Sequence, residues 1–170
     1  PVIDRRAKEA IDEHLVHLDK TATLRAITPV DHTKYTGHFI APQVWEIDAL
    51  ADLTHEVFGP VLHVIRYDTN ELPQIFSELR ASEFALTRGV HSRLRGLHDR
   101  IRDEALVGNL YINRDTVGAV VGSHPFGGHG ASGTGPKAGG PNYLKRLVNE
   151  HTVTDNITAL GGNTALFNLE

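Results

Sequence analysis

The chain opens on polar and apolar residues alternating at a helical period. In PVIDRRAKEAIDEHLVHLDK, Ala7, Ala10, Ile11, Leu15 and Leu18 recur at helical spacing. Asp4 precedes them as an N-cap, so the pattern predicts a helix from Arg5 to about His17. The period then shortens. TATLRAITP and YTGHFIAPQVW predict two strands with a turn between them; Tyr35, Gly37 and Phe39 alternate, and Pro42 ends that run. A short helix is predicted near Asp48–Leu53. Gly59-Pro60 breaks the chain, and the apolar run Val61–Tyr67 suits a buried strand.

Farther on, ELPQIFSELRAS returns to the helical period and FALTRGVHS to that of a strand. SRLRGLHDRIRDEA predicts an amphipathic helix with Leu94, Leu97, Ile101 and Leu106 on one side, and GNLYINR predicts another strand. A glycine-rich stretch follows, GSHPFGGHGASGTGPKAGGP at residues 122–141. After it come a last short helix in GGPNYLKRLVNEH and an extended tail rich in Thr, Val and Ile. Alternation of strand and helix predicts an α/β fold: an open, mostly parallel sheet flanked by helices. Residues 1–150 read as one unit and 151–170 as a β tail.

Composition changes this picture in two places. There is no Met, so the chain reads as an internal or C-terminal fragment or a processed product. There is no Cys, which excludes a disulfide, a thiolate metal site or a cysteine nucleophile within these residues. Otherwise 170 residues suit one domain or a large piece of one. A net charge of −4 lacks the basic footprint of a nucleic-acid partner. No run is long and apolar enough to span a bilayer and no signal-like start is present, so a cytoplasmic setting is the default expectation.

Three familiar chemistries fail on the residues. Gly130 and Gly135 have the glycine spacing of a phosphate-binding G-x-x-x-x-G-K-S/T loop, but Pro136 replaces the lysine and removes a backbone donor. Of eleven histidines, His14 and His17 lie one helical turn apart and His124 and His129 flank the glycine loop. No H-E-x-x-H or carboxylate cluster completes a metal set, and solvated or capping histidines are the expectation. Ser132 lies in A-S-G-T, outside any G-x-S-x-G elbow, and reads as a turn hydroxyl bonding to backbone.

Two blocks, read together, decide the family resemblance. HEVFGPVLHVIRYD (55–68) and GNLYINRDTVGAVVGSHPFGGHGASGTGPKAGGPNYLKRL (108–147) resemble the aldehyde dehydrogenase superfamily, with its E-I/V-F-G-P-V segment and later P-F-G-G-x-x-x-S-G segment. PVID at the start and GVHSR at 89–93 match as well. VGAVVG, PFGGHGASGTGPKAGGP and the tail NITALGGNTALFNL are most similar to L-glutamate γ-semialdehyde (pyrroline-5-carboxylate) dehydrogenase, in the form carried by bifunctional proline utilisation A proteins. The resemblance covers nearly the whole chain. It implies the C-terminal part of an aldehyde dehydrogenase catalytic domain, with the 151–170 tail serving oligomerisation. The implied parent enzyme oxidises glutamate γ-semialdehyde with NAD⁺ through a cysteine thiolate. That cysteine, the base glutamate and the dinucleotide-binding domain lie upstream of the matched segments, so the fragment alone is expected to be inactive.

The resemblance also implies roles for single residues. Glu56 matches a glutamate that accepts hydrogen bonds from the nicotinamide ribose, chemistry suited to a carboxylate with two acceptor oxygens. Phe58 matches an aromatic packed near the nicotinamide. Gly118 and Ala119 match a loop whose backbone N–H groups hold the substrate α-carboxylate; small residues allow that approach. Phe126 matches an aromatic wall along the aldehyde's aliphatic chain. Asn113 is expected to fix the glycine loop by side-chain bonds to backbone, and Lys137 to be solvated or structural.

The sequence departs from the branch at Glu83-Phe84, where Gly-Tyr is frequent, and at Ser123-His124, where a glutamine is common. The expected partners are the small-molecule substrate, the rest of the parent chain and like subunits in a homo-oligomer. The competing reading is a non-catalytic dehydrogenase-like domain that serves assembly. A third, a stand-alone binding module, would leave bare sheet edges and apolar surface.

Overall fold

The computed structural model describes residues 1–31, 33–34 and 36–156, and the structural statements below concern these. They divide into two compact units. The first comprises Pro1–Gly118 and Gly127–Gly135; the second comprises Ala119–Phe126 and the chain from Pro136 onward.

Helix α1 spans Arg5–Thr21. Asp4, in extended backbone, caps it by accepting a hydrogen bond from the Ala7 amide on its Oδ1 at 2.7 Å. The helix runs one turn past the expected His17, to where Ala22 turns extended. Its buried face carries Ile11, His14 and Leu18, three and four residues apart. Strands β1 (Thr23–Ile27), β2 (Gln43–Glu46) and β3 (Val61–Val64) form one sheet. β1 pairs antiparallel with β2, and β2 parallel with β3. Leu18 packs against Trp45 and Ile47, with Leu15, Leu53, Val61 and Ile65 around them. Trp45 buries its indole there and donates its Nε1–H to Gln43 Oε1 at 2.7 Å, which keeps both polar groups paired. Glu46 clamps this sheet, accepting from Arg25 at 2.7 Å and from Arg66 at 3.0 Å.

Helix α2 (Leu72–Ala81) and helix α3 (Arg95–Glu104) share a second core. Leu72, Phe76, Val90 and Ile101 are buried in it, with Leu79, Leu97 and Leu110 packed alongside. Burying such side chains contributes about 1.5–3 kcal/mol each relative to leaving them exposed. Strands β5 (Thr87–Val90) and β6 (Asn109–Ile112) pair in parallel. The two-residue strands β4 (Phe84–Ala85) and β7 (His129–Gly130) pair antiparallel.

Several expectations need correction. Residues 36–42 form no strand: the His38 carbonyl bonds to the Val2 amide at 2.7 Å instead of a sheet neighbour. β3 ends at Val64, and Leu62 on it is 58% exposed, so the Val61–Tyr67 run is not a buried strand. Leu94 and Leu106 are off the α3 stripe because both lie in extended or irregular backbone outside the helix ends, at 70% and 62% exposure. FALTRGVHS divides into β4 and β5. Among the described residues the expected mostly parallel sheet is three small sheets, with two parallel and two antiparallel pairings.

The second unit is built from backbone pairing. Val120 and His124 exchange hydrogen bonds, as do Phe126 and Ala138 at 3.0 and 2.9 Å. Where a last helix was expected, Tyr143–Leu147 forms a 3₁₀ turn. Of the predicted tail, residues 151–156 are irregular and the remainder lies outside the described residues.

Candidate functional site

The first group of predicted residues sits on the turn that joins the 3₁₀ segment Leu50–Asp52 to β3. Helix α1 holds this turn from beneath. A Cβ added to Gly59 would meet Ile11 Cδ1 at 2.5 Å, so the glycine is what lets α1 approach. One helical turn along, the His14 ring stands edge-on to His55 with centroids 5.7 Å apart. The Gly59 amide closes the turn on the Val57 carbonyl at 3.0 Å. Glu56 points into solvent, and its carboxylate has no hydrogen-bond or ion-pair partner among the described residues. Phe58 is 80% exposed, an unpacked ring. An open groove of about 360 Å³ runs beside Gly59 and Pro60 along Ile27, Pro42 and Leu62. The cleft between α2 and the 65–67 segment contains none of the predicted residues.

The second group of predicted residues begins at Gly118. There the backbone takes φ +107°, in the region favouring glycine, while an added Cβ would meet nothing within 4 Å. The backbone requires the glycine; space does not. Two carbonyls of this loop are occupied: buried Tyr111 donates its hydroxyl to the Gly118 carbonyl at 3.0 Å, and Arg114 donates to the Val117 carbonyl at 3.2 Å. Arg114 also stacks over the Tyr111 ring at 4.7 Å. The backbone N–H groups of Gly118 and of Ala119 have no acceptor among the described residues. Gly118 closes the first unit and Ala119 opens the second. Phe126, half-buried, is held in the second unit by its paired bonds to Ala138.

Asn113 bonds backbone as expected, but at another place. Its Oδ1 accepts from the Ser92 amide and its Nδ2 donates to the Ser92 carbonyl, both at 2.9 Å, so it ties β6 to the end of β5. Ser132 accepts from the Ala85 amide at 3.0 Å, the backbone-bonding hydroxyl expected of it. A Cβ at Gly133 would overlap the Gly128 carbonyl oxygen, so the glycine loop doubles back with its main chain in contact with itself.

The model of the aldehyde dehydrogenase family matches residues 1–153. The chain belongs to the aldehyde dehydrogenase family. It is 47% identical over 153 residues to the bifunctional protein PutA of Escherichia coli K12, covering 87% of this chain and 12% of that protein. It is 37% identical over 157 residues to 1-pyrroline-5-carboxylate dehydrogenase 1 of Halalkalibacterium halodurans, covering 91% of this chain and 30% of the relative. A solved structure of a Bradyrhizobium japonicum proline utilization A (PutA) mutant superposes with a TM-score of 0.84 at 46% identity. That match covers 95% of this chain and 16% of the other. The chain thus spans a minor part of each of these relatives.

His14 is buried, with its Nε2 2.8 Å from His63 Nε2. For these two residues this corrects the expectation that the histidines are solvated or capping; His17, His124 and His129 are exposed. Burial is the main force holding the His14 imidazole below its ordinary pKa, and the neighbouring His63, His55 and His17 add to it. Burial also lowers His63. No group of three or more potential metal ligands occurs among the described residues. Tyr111 and Arg114, which support Gly118, were also missed; their only sequence signal is their place in GNLYINR next to the glycine loop.

Proposed function

We propose that these residues form the cofactor-ribose and substrate-carboxylate part of an NAD⁺-dependent dehydrogenase that oxidises L-glutamate γ-semialdehyde to L-glutamate in proline catabolism. The observation that carries the reading is the pair of unengaged amides at Gly118 and Ala119, beside Val117 and Gly118 carbonyls that already accept hydrogen bonds. Consecutive N–H groups with no internal acceptor suit a carboxylate, which offers several lone pairs to donors at low cost in geometry. The names of the relatives, PutA and 1-pyrroline-5-carboxylate dehydrogenase, supply the substrate class.

The residues also fit the cofactor. Glu56 presents two unengaged carboxylate oxygens on an exposed turn, a match for a vicinal diol. Phe58 presents a free ring face beside it in sequence. When bound, NAD⁺ supplies the hydride acceptor. This chain's own part is to bind and orient: Glu56 and Phe58 at the cofactor, Gly118 and Ala119 at the substrate acid, Phe126 along the aliphatic chain. The nucleophilic thiol belongs to the rest of the parent polypeptide, since none of the 170 residues is cysteine. The same reading places the enzyme in the cytoplasm and gives the 151–170 tail to assembly of like subunits.

The test compares aldehydes on the native polypeptide that carries these residues. Glutamate γ-semialdehyde should exceed butanal, which lacks the amino-acid head, by at least about a hundredfold in kcat/KM, the discrimination a site with unpaired polar groups achieves. Equal kcat/KM values would contradict the reading.

A further inference from the structure

The His14–His63 pair sits beneath the turn that carries Glu56, and nothing in the proposed chemistry uses it. The two Nε2 atoms, from residues 49 positions apart, face each other at 2.8 Å. That geometry needs one shared proton: one ring donates N–H and the other accepts on a bare nitrogen. His63 belongs to β3, which continues from the turn, and the His14 ring also meets His55 at the turn's other end. Ile11, on the same face of α1, meets Gly59 between them. The turn is therefore held to α1 at three places: His55, Gly59 and His63.

We infer that His14 and His63 are positioning residues for the cofactor turn, a clasp that seats Glu56 while they share a single bridging proton and lets go when both rings are charged. This rests on the reading of Glu56 as the ribose contact. The physical reason is short. Two imidazolium rings would point N–H at N–H across the same 2.8 Å, with no acceptor between them. The titratable groups acting on His14 are His63 from β3, His55 from the turn and His17 from α1 itself. All of these are bases, and no carboxylate among them compensates an added charge. Because burial opposes the charged rings, the clasp is intact above the ordinary imidazole pKa and opens as pH falls below it.

The test uses the native polypeptide, with NAD⁺ affinity measured from pH 7.5 to 5.5 and hydrogen exchange of the Gly59 amide followed over the same range. In the unsubstituted protein, NAD⁺ affinity should fall at least fivefold toward pH 5.5, and Gly59 protection should fall beyond the intrinsic pH dependence of exchange. In His14→Gln the amide can still bond but cannot titrate, so both profiles should flatten; His63→Asn is the second variant should the first fail to fold. Profiles that keep the unsubstituted pH dependence in a folded variant would overturn the clasp. Glu56→Ala separates the two readings. If it leaves NAD⁺ affinity unchanged, the ribose contact fails, while Gly59 exchange still reports on the clasp. If it weakens affinity while the His14→Gln profiles keep their slope, only the clasp fails.

Discussion

Ile11 and Gly59 are in such close contact that a single methyl group on the glycine would come within 2.5 Å of the isoleucine Cδ1. Ile11 is 3% exposed, so its side chain has nowhere to swing. The glycine of the F-G-P segment is in this way a packing requirement of α1 as well as a turn residue. Gly59→Ala should destabilise the protein by about 1–3 kcal/mol, the usual cost of overpacking. Adding Ile11→Val, which removes the clashing Cδ1, should recover part of that loss in a double-mutant cycle read by denaturant unfolding. Strictly additive effects would show that the two residues do not press on each other.

Glu83 stands immediately after the cap of α2 with φ +58°, in the left-handed region. This is the position where helices ordinarily place glycine. The departure from the Gly-Tyr of the branch therefore costs strain. Glu83→Gly should stabilise the protein by about 0.5–1 kcal/mol, the relief of a left-handed side chain less the added entropy of the unfolded glycine. Thermal melting checks it, and a lower melting temperature in the variant would contradict the account.

Glu46 accepts from Arg25 and Arg66, and these bonds hold its carboxyl below the ordinary glutamate pKa, Arg25 foremost and against an opposing desolvation. The sign follows from linkage. A carboxyl with a lowered folded pKa contributes stability that is present above the unfolded value, about 4.3, and is lost as pH falls through the folded value. Glu46→Gln should therefore flatten the loss of stability as pH falls below the ordinary glutamate value, leaving other carboxylates to supply what remains. Unfolding curves at several pH values test this; an unchanged pH slope would refute the role of the pair of arginines.

Legibility in the sequence followed the range of the interactions. Helix α1 and its Asp4 cap were readable because cap and stripe are local. The strand predicted around Phe39 was not real, because alternation says nothing about whether a partner exists for the His38 carbonyl. β4 and β7 were invisible for the opposite reason: two residues each, brought together across more than forty positions. At the site, the resemblance named Glu56, Phe58, Gly118, Ala119 and Phe126, but periodicity could not reveal that the Gly118 and Ala119 amides are unengaged while Tyr111 and Arg114 occupy the carbonyls. His14 and His63 escaped because their 49-residue separation leaves no local trace.

The central claim is that the free carboxylate of Glu56 accepts hydrogen bonds from the cofactor's ribose. Equilibrium titration of NAD⁺ into the native polypeptide and its Glu56→Gln variant tests it most directly, since Gln keeps size and one acceptor oxygen but loses the charge. Charge-assisted hydrogen bonds contribute about 1.5–3 kcal/mol, so the variant should bind NAD⁺ roughly ten- to a hundredfold more weakly. Equal affinity in the two proteins, with the variant folded, would contradict the account.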